Sequence, residues 1–364
     1  MAPGARVILL DDSCPPPLPG VMRGPELMSM NLQQVAAERR QALIRDIQAL
    51  KRERNAVILA HLYERLEVQD VADYHGDSLG LSQIAANTDA DVIVFCGVHF
   101  MAETAKLLSP QKTVYLANPN AGCPMADMIT PEELVQFKAE YPGRPVVAYV
   151  NTSADVKAES DYCCTSANAV DVVRGIGAPE VLFVPDKHLA HYVQQQVPDV
   201  KIIPWEGFCP THLRMDLEDV KALKKQYPDA LIFAHPECDE PLKEMADFIG
   251  STTAIVKAAR ESSGRTFIIC TEDGVSQRLA ADHPEKTFIT PTRAAAVCPN
   301  MKLTRLENIK QALLGEVPEI VIPEETAQRA RRCIDRMMEV PAMKLGSAAV
   351  KPVLAAGVFS KETK

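Results

Sequence analysis

The sequence predicts an α/β fold made of three homologous αβα units, their parallel sheets set around a pseudo-threefold axis and a central cleft. Three observations predict it. Apolar, strand-sized runs alternate with charged helical segments along the chain, and that alternation gives parallel sheets with right-handed crossovers. The pattern recurs three times in register. Each unit also ends in Cys-Pro, at Cys123-Pro124, Cys209-Pro210 and Cys298-Pro299.

The first strand of each unit is read at 56–60 (AVILA), 146–150 (VVAYV) and 231–234 (LIFA), after charged helices at 43–54, 132–140 and 216–226. A polar turn follows, then a helix opening at Gly76-Asp77-Ser78, Cys164-Thr165-Ser166 or Gly250-Ser251-Thr252. The second strands are 92–96, 181–184 and 267–270; after another helix come short third strands at 113–116, 201–203 and 287–289. The terminal cysteines stand 86 and 89 residues apart. From strand end to hydroxyl the interval is 17 in all three units, and from hydroxyl to cysteine it is 45, 43 and 46. Chance similarity between apolar runs does not hold three such intervals together. The repeat divides the chain into units at 38–130, 131–215 and 216–305. Residues 1–37 read as a disordered extension, 306–342 as a C-terminal strand and helices packing back on the first unit, and 343–364 as a tail.

Composition sets the limits. The chain has 364 residues, 47% hydrophobic and 24% charged, which excludes a disordered, collagen-like or coiled-coil chain. Its 39 Lys and Arg against 48 Asp and Glu give a net charge of −9. That disfavours nucleic acid and anionic membranes as partners but permits a local patch that holds an anion. No apolar run approaches the ~20 residues of a membrane span. Ten cysteines are too sparse for a disulfide framework. Residues 1–30, broken by Pro15-Pro16-Pro17 and carrying Asp11 and Asp12, do not read as a secretion signal. A cytoplasmic chain with reduced thiols is expected, and such thiols can be ligands.

Parallel sheets bind ligands at the carboxyl ends of their strands. The repeat puts His61, Tyr149 and His235 at equivalent strand ends, with Tyr63, Asn151 and Glu237 two residues later. Ser78, Ser166 and Thr252 fall at equivalent helix N-termini. Such hydroxyls cap helices, and the same free N–H groups hold carboxylate or phosphate. Cys123, Cys209 and Cys298 differ from the other thiols in lying in loops after strands. Three converging thiolates suit a soft metal or a cluster. A closed zinc site would want four ligands, whereas three on a [4Fe–4S] cluster leave one iron open. Cys96, Cys164 and Cys270 read as buried hydrophobes, and Cys14 and Cys333 as incidental surface or helix positions. Glu237, beside two imidazoles, is the candidate general base. His75, His99, His188, His191, His212 and His283 show no recurrence and read as surface or helix residues. The run 214–226 reads as a solvated helix face.

These residues carry a resemblance. The stretches Ala60-His61-Leu62-Tyr63, Gly76-Asp77-Ser78-Leu79, 97–110 (GVHFMAETAKLLSP), Tyr149-Val150-Asn151-Thr152-Ser153, Thr165-Ser166, Pro185-Asp186-Lys187, His235-Pro236-Glu237, Gly250-Ser251-Thr252 and the three Cys-Pro sites resemble the quinolinate synthase family, in order across residues 38–342. The resemblance implies a transferase of NAD biosynthesis with three αβα domains around a cleft. It implies a [4Fe–4S] cluster on Cys123, Cys209 and Cys298, and condensation of iminoaspartate (iminosuccinate) with dihydroxyacetone phosphate to quinolinate, phosphate and two waters. Iminoaspartate contacts are implied from His61, Ser78, Tyr149, Val150, Asn151, Ser166, His235, Pro236, Glu237 and Thr252, with Glu237, His61, Tyr63 and His235 moving protons. A hand-off from L-aspartate oxidase or aspartate dehydrogenase follows from that substrate. Some members carry a C-x-x-C-x-x-C run at the last cysteine; here 292–298 reads TRAAAVC, so Cys298 alone can be a ligand there. An iron–sulfur hydro-lyase of another small di-acid and a non-catalytic iron–sulfur sensor are the other readings. The sensor would not need the Glu237 and hydroxyl constellation.

Overall fold

The computed structural model describes residues 24–339, Arg293 excepted. Three four-stranded parallel sheets are built one per repeat. The first holds β1 (Ala56–His61), β2 (Tyr74–Gly76), β3 (Val92–Cys96) and β4 (Thr113–Leu116). The second holds β5 (Val146–Tyr149), β6 (Tyr162–Cys164), β7 (Glu180–Val184) and β8 (Lys201–Pro204). The third holds β9 (Leu231–Ala234), β10 (Phe248–Ile249), β11 (Thr266–Cys270) and β12 (Thr287–Ile289). The strand orders are β2-β1-β3-β4, β6-β5-β7-β8 and β10-β9-β11-β12. Each chain path steps out to one edge and then crosses back, so it reverses direction between the two central strands. That reversal opens a crevice at their carboxyl ends.

All nine strands expected within the three repeats are present. The edge strands β2, β6 and β10 were not expected, nor the short helices Leu66–Val71, Ala154–Ala158 and Glu240–Met245 that lead to them. Two or three residues carry no readable periodicity. An aspartate anchors each edge instead. Asp73, Asp161 and Asp247 accept the N–H of Ile58, Val146 and Ile232 on Oδ2 at 2.9, 2.9 and 2.8 Å. Their own backbone N–H groups donate to the carbonyls of those same residues.

The central strands are apolar except at their ends (His61, Glu180 and Thr266), and all five residues of β3 are buried, as expected of sheets covered on both faces. The first two units share one core, including Leu59, Phe95, Val147 and Phe183. The third unit has separate clusters, one around Ile232, Ala234, Ile268 and Cys270 and one around Phe233, Phe267 and Ile269.

Both chain ends differ from expectation. The helix Gly24–Glu53 includes residues 24–37, which the sequence had suggested were disordered. Beyond Pro25 it is rich in Ala, Leu, Gln, Glu and Arg, all strong helix formers, and Pro is tolerated in a first turn. At the other end, the helix Leu306–Leu314 stays with the first unit, where Arg54 Nη1 donates to Leu313 O at 3.0 Å. The expected C-terminal strand is reduced to one isolated bridge between Tyr115 and Glu319. The helix Glu324–Glu339 packs mainly on the second unit rather than the first. Ala330, Cys333, Ile334 and Met337 form its apolar stripe, and Arg329 Nη2 pairs with Glu159 at 2.5 Å. Arg331 reaches back to Leu107 O and Leu108 O, so this helix ties the first two units together. Residues 1–23 and the 343–364 tail lie outside the described residues.

Candidate active site

A cavity of about 150 Å³ collects residues from all three units. His61, Tyr63, Ser78, Tyr149, Asn151, Ser166, His235, Glu237 and Thr252 line it, together with Cys123, Cys209 and Cys298. Val150 and Pro236 do not line it. Val150 N–H donates to Cys164 O at 2.8 Å, and Pro236 O accepts from Lys243 at 3.2 Å, so both serve the loop behind the site.

The two strand-end histidines are held identically. Tyr63 N–H donates to His61 Nδ1 at 3.1 Å, and Glu237 N–H donates to His235 Nδ1 at 3.4 Å. Burial lowers both pKa values to about 3, so each ring is neutral. With Nδ1 accepting, the proton sits on Nε2, and each ring is a donor there; His235 Nε2 meets Ser166 Oγ at 3.2 Å. The approach of His235 Nδ1 to Glu237 Oε2 at 3.9 Å is therefore not an ion pair.

The close partner of Glu237 is His212. The sequence placed it among surface or helix residues, but it is 1% exposed. Its Nδ1 lies 2.8 Å from Glu237 Oε2 and 3.1 Å from Cys209 Sγ, and its ring stacks on His235 at 4.8 Å between centroids. Tyr149 donates its phenol to Glu237 Oε1 at 2.6 Å. Burial pushes the Glu237 carboxyl up, but His212 and the Tyr149 hydrogen bond outweigh it and hold the group well below the usual carboxylate range. Glu237 is an ionised, fully engaged carboxylate.

From Glu237 a chain of hydroxyls runs back to the first and third units. His212 Nε2 meets Thr271 Oγ1 at 3.0 Å, and Thr271 Oγ1 meets the Tyr63 phenol at 2.8 Å. Thr252 Oγ1 donates to the Tyr63 oxygen at 3.2 Å. With Nδ1–H given to Glu237, Nε2 accepts from Thr271. Thr271 then accepts from Tyr63. One consistent direction connects Thr252, Tyr63, Thr271, His212 and Glu237. Thr271 was missed in the sequence, although its repeat equivalents, Gly97 and Pro185, lack a hydroxyl.

The hydroxyl trio is not a set of caps. Asp77 caps the helix Ser78–Asn87, accepting Gly80 N–H at 3.0 Å, and Ser251 caps Thr252–Glu261, accepting Ala254 N–H at 3.3 Å. Ser78 and Thr252 are the first helical residues, which leaves their side chains to the cavity. Ser166 precedes the helix Ala169–Ile176, in a turn where Thr165 N–H donates to Asn168 Oδ1 at 2.7 Å. Asn151 Oδ1 has no hydrogen-bond partner among the described residues, an acceptor left for a ligand. Arg214, assigned from sequence to a solvated helix face, is exposed and lines the cavity; no other Lys or Arg among the described residues does so.

Each Cys-Pro opens a short helical turn: Ala126–Met128, Pro210–Leu213 and Met301–Leu303 follow the three cysteines. In every unit the backbone N–H three residues on, from Ala126, His212 or Met301, donates to the cysteine sulfur. That is the electrostatic setting of a thiolate ligand. Burial pushes the uncomplexed thiols up, Cys123 to about 12 and Cys209 well above its ordinary value, so a bound cation would be needed to ionise them. Among the described residues, only Cys209, His212 and Glu237 have ligand atoms all within 4.8 Å of one another. Two sulfurs bound to one zinc at about 2.3 Å each lie no more than about 4.6 Å apart. The three cysteines are thus spread too widely for one ion, and the set suits a larger group. The third sulfur is firmly placed. Glu272 Oε1 accepts Cys298 N–H at 3.2 Å and pairs with Lys302 Nζ at 3.0 Å, and Lys302 in turn donates to Tyr63 O.

Residues 45–339 match the model of the quinolinate synthetase A protein family. The chain belongs to that family. Quinolinate synthase from Geobacter sp. (strain M21) is 53% identical over 296 residues, covering 81% of this chain and 97% of that protein. Quinolinate synthase 1 of Methanosarcina acetivorans is 51% identical over 298 residues, with 82% and 97% covered. The quinolinate synthase of Dehalococcoides mccartyi is 51% identical over 294 residues, with 81% and 97% covered. The quinolinate synthetase match spans all three repeat units, including every cavity residue named above. No helix among the described residues is long and apolar enough to cross a membrane.

Proposed function

We propose that the protein condenses iminoaspartate with dihydroxyacetone phosphate to quinolinate, phosphate and two waters, using a [4Fe–4S] cluster on Cys123, Cys209 and Cys298. The observation that carries this reading is the triplicate Cys-Pro turn. Three sulfurs, each receiving an N–H from three residues on, border the cavity that also holds Glu237. When bound, the cluster supplies a Lewis acid at its uncoordinated iron, which eases loss of hydroxyl as water. The chain's own residues do the rest. His61 and His235 are neutral donors through Nε2, suited to substrate carboxylates. Ser78 and Ser166, free of capping, offer further donors, Thr252 offers an acceptor while its O–H goes to Tyr63, and Asn151 adds its amide. Arg214 at the rim is the group suited to the phosphate. Glu237 is the accepting end of the path: a proton taken up at Tyr63 is relayed through Thr271 and His212 to the Glu237 carboxylate. A cytoplasmic enzyme of NAD biosynthesis supplied by an iminoaspartate-producing enzyme, L-aspartate oxidase or aspartate dehydrogenase, completes the reading.

The test is purification without oxygen, iron and sulfide analysis, and a quinolinate assay with both substrates. About four irons and four sulfides per chain with quinolinate formation are expected. Cys123→Ala, Cys209→Ala and Cys298→Ala should each lose cluster and turnover, whereas Cys163→Ala and Cys333→Ala keep both. A Cys298→Ala protein with full iron and normal turnover would sink the ligand assignment.

A further inference from the structure

Each strand-end loop that carries cavity residues is tied down from behind by one buried polar side chain on the short helix that follows. In the first unit Gln69 Nε2 donates to Leu62 O at 2.9 Å and to Glu64 O at 3.0 Å. In the second, Lys157 Nζ donates to Val150 O at 2.8 Å and also to Thr152 O. In the third, Lys243 Nζ donates to Pro236 O at 3.2 Å and, reaching into the second unit, to His188 O at 2.7 Å. Gln69, Lys157 and Lys243 each stand eight residues beyond His61, Tyr149 and His235. The shared acceptor is always the carbonyl seven residues back. The residue next to that carbonyl is Tyr63, Asn151 or Glu237, the one facing the cavity.

The burial of these groups needs a reason. Gln69 and Lys157 are fully buried and Lys243 is 4% exposed. Lys243 also pairs with Glu240 at 2.8 Å, but no carboxylate within ion-pair distance of Lys157 is found among the described residues. A buried ammonium is costly unless its donors are used, and Lys157 spends them on two loop carbonyls beneath the Phe100 ring. We infer that Gln69, Lys157 and Lys243 are positioning residues that clamp these carbonyls, so that Tyr63, Asn151 and Glu237 keep fixed places in the cavity. An amide does in the first unit what an amine does in the second. Donors, rather than charge, are the requirement.

The inference rests on the proposed function for the identity of the ligand, and its test separates the two. Lys157→Met and Lys157→Gln are made in the full chain, purified without oxygen and assayed for iron, sulfide, quinolinate binding by calorimetry, and hydrogen exchange over 149–153. Both should keep the cluster. Lys157→Met should exchange faster over 149–153 and lose ~10- to 100-fold in quinolinate affinity, the scale of a displaced contact residue. Lys157→Gln, which keeps the donors, should stay within about threefold of the parent on the ordinary scale of one neutral hydrogen bond. Normal exchange and affinity in Lys157→Met would overturn the clamp, and so would a Lys157→Gln protein as impaired as Lys157→Met. If Lys157→Met does not fold, Gln69→Lys serves instead; it should bind quinolinate normally, and loss of binding with an intact cluster would overturn the inference. A parent protein that fails to bind quinolinate would count against the proposed function, while the exchange comparison would still judge the clamp.

Discussion

At the end of β1, His61 accepts the N–H of Tyr63 on Nδ1; at the end of β9, His235 accepts the N–H of Glu237 in the same way. Both rings are buried and neutral, and both loops are held by a side chain eight residues beyond the histidine. The backbone device is shared, and the chemistry two residues on is not. One unit presents a phenol and the other an ionised carboxylate. Neither touches the other directly. They communicate through Thr271, just past β11, and His212, in the turn after Cys209. Repetition supplied three equivalent platforms, and divergence two residues past each strand end, together with Thr271 and His212, whose hydroxyl and imidazole have no equivalents, made one asymmetric site.

The largest effect should come from the carboxylate end. Glu237→Gln is expected to retain iron and fold but to lose ~10²–10⁴-fold in turnover, the usual contribution of a positioned proton-transfer group. Steady-state rates on cluster-replete protein decide this, and near-normal turnover would remove Glu237 from catalysis. A smaller loss, ~10-fold or more, is expected for Thr271→Val, which keeps shape and leaves only the longer 3.5 Å contact between the Tyr63 phenol and His212 Nε2. Combining it with Tyr63→Phe tests whether the two ends are joined. In a single path the double variant should be no slower than the slower single one, whereas multiplying losses would mean independent roles.

The smallest effects separate caps from cavity residues. Asp77→Ala and Ser251→Ala should each cost about 0.5–2 kcal/mol in thermal or denaturant unfolding, as lost caps do. Ser78→Ala, Ser166→Ala and Thr252→Ala should change stability by no more than about 0.5 kcal/mol yet weaken quinolinate binding. Stability losses of cap size in Ser78→Ala and Thr252→Ala, with binding unchanged, would reverse the assignment.

Particular residues show how far the sequence could be read. His61, Glu237 and the three cysteines were legible because the repeat puts each at an equivalent strand end or loop, where parallel sheets bind ligands. His212 was passed over because no equivalent histidine stands in the other units. Its spacing of three from Cys209, inside the turn that a Cys-Pro opens, was the available signal. Ser78 and Thr252 were found for a partly mistaken reason. The hydroxyl cluster marks the helix start, but the preceding residue does the capping.

By itself the sequence determined the nine principal strands, their triplication and the convergence of three Cys-Pro loops, since local periodicity and interval length are properties of the chain alone. Only the tertiary structure decided which histidine pairs with Glu237, where the edge strands lie and which unit the last helix packs against. Those outcomes depend on polar groups far apart in sequence finding one another after burial. Thr271 and Tyr63 are separated by 208 residues and Glu237 and Tyr149 by 88, and no window along the chain contains both members of such a pair.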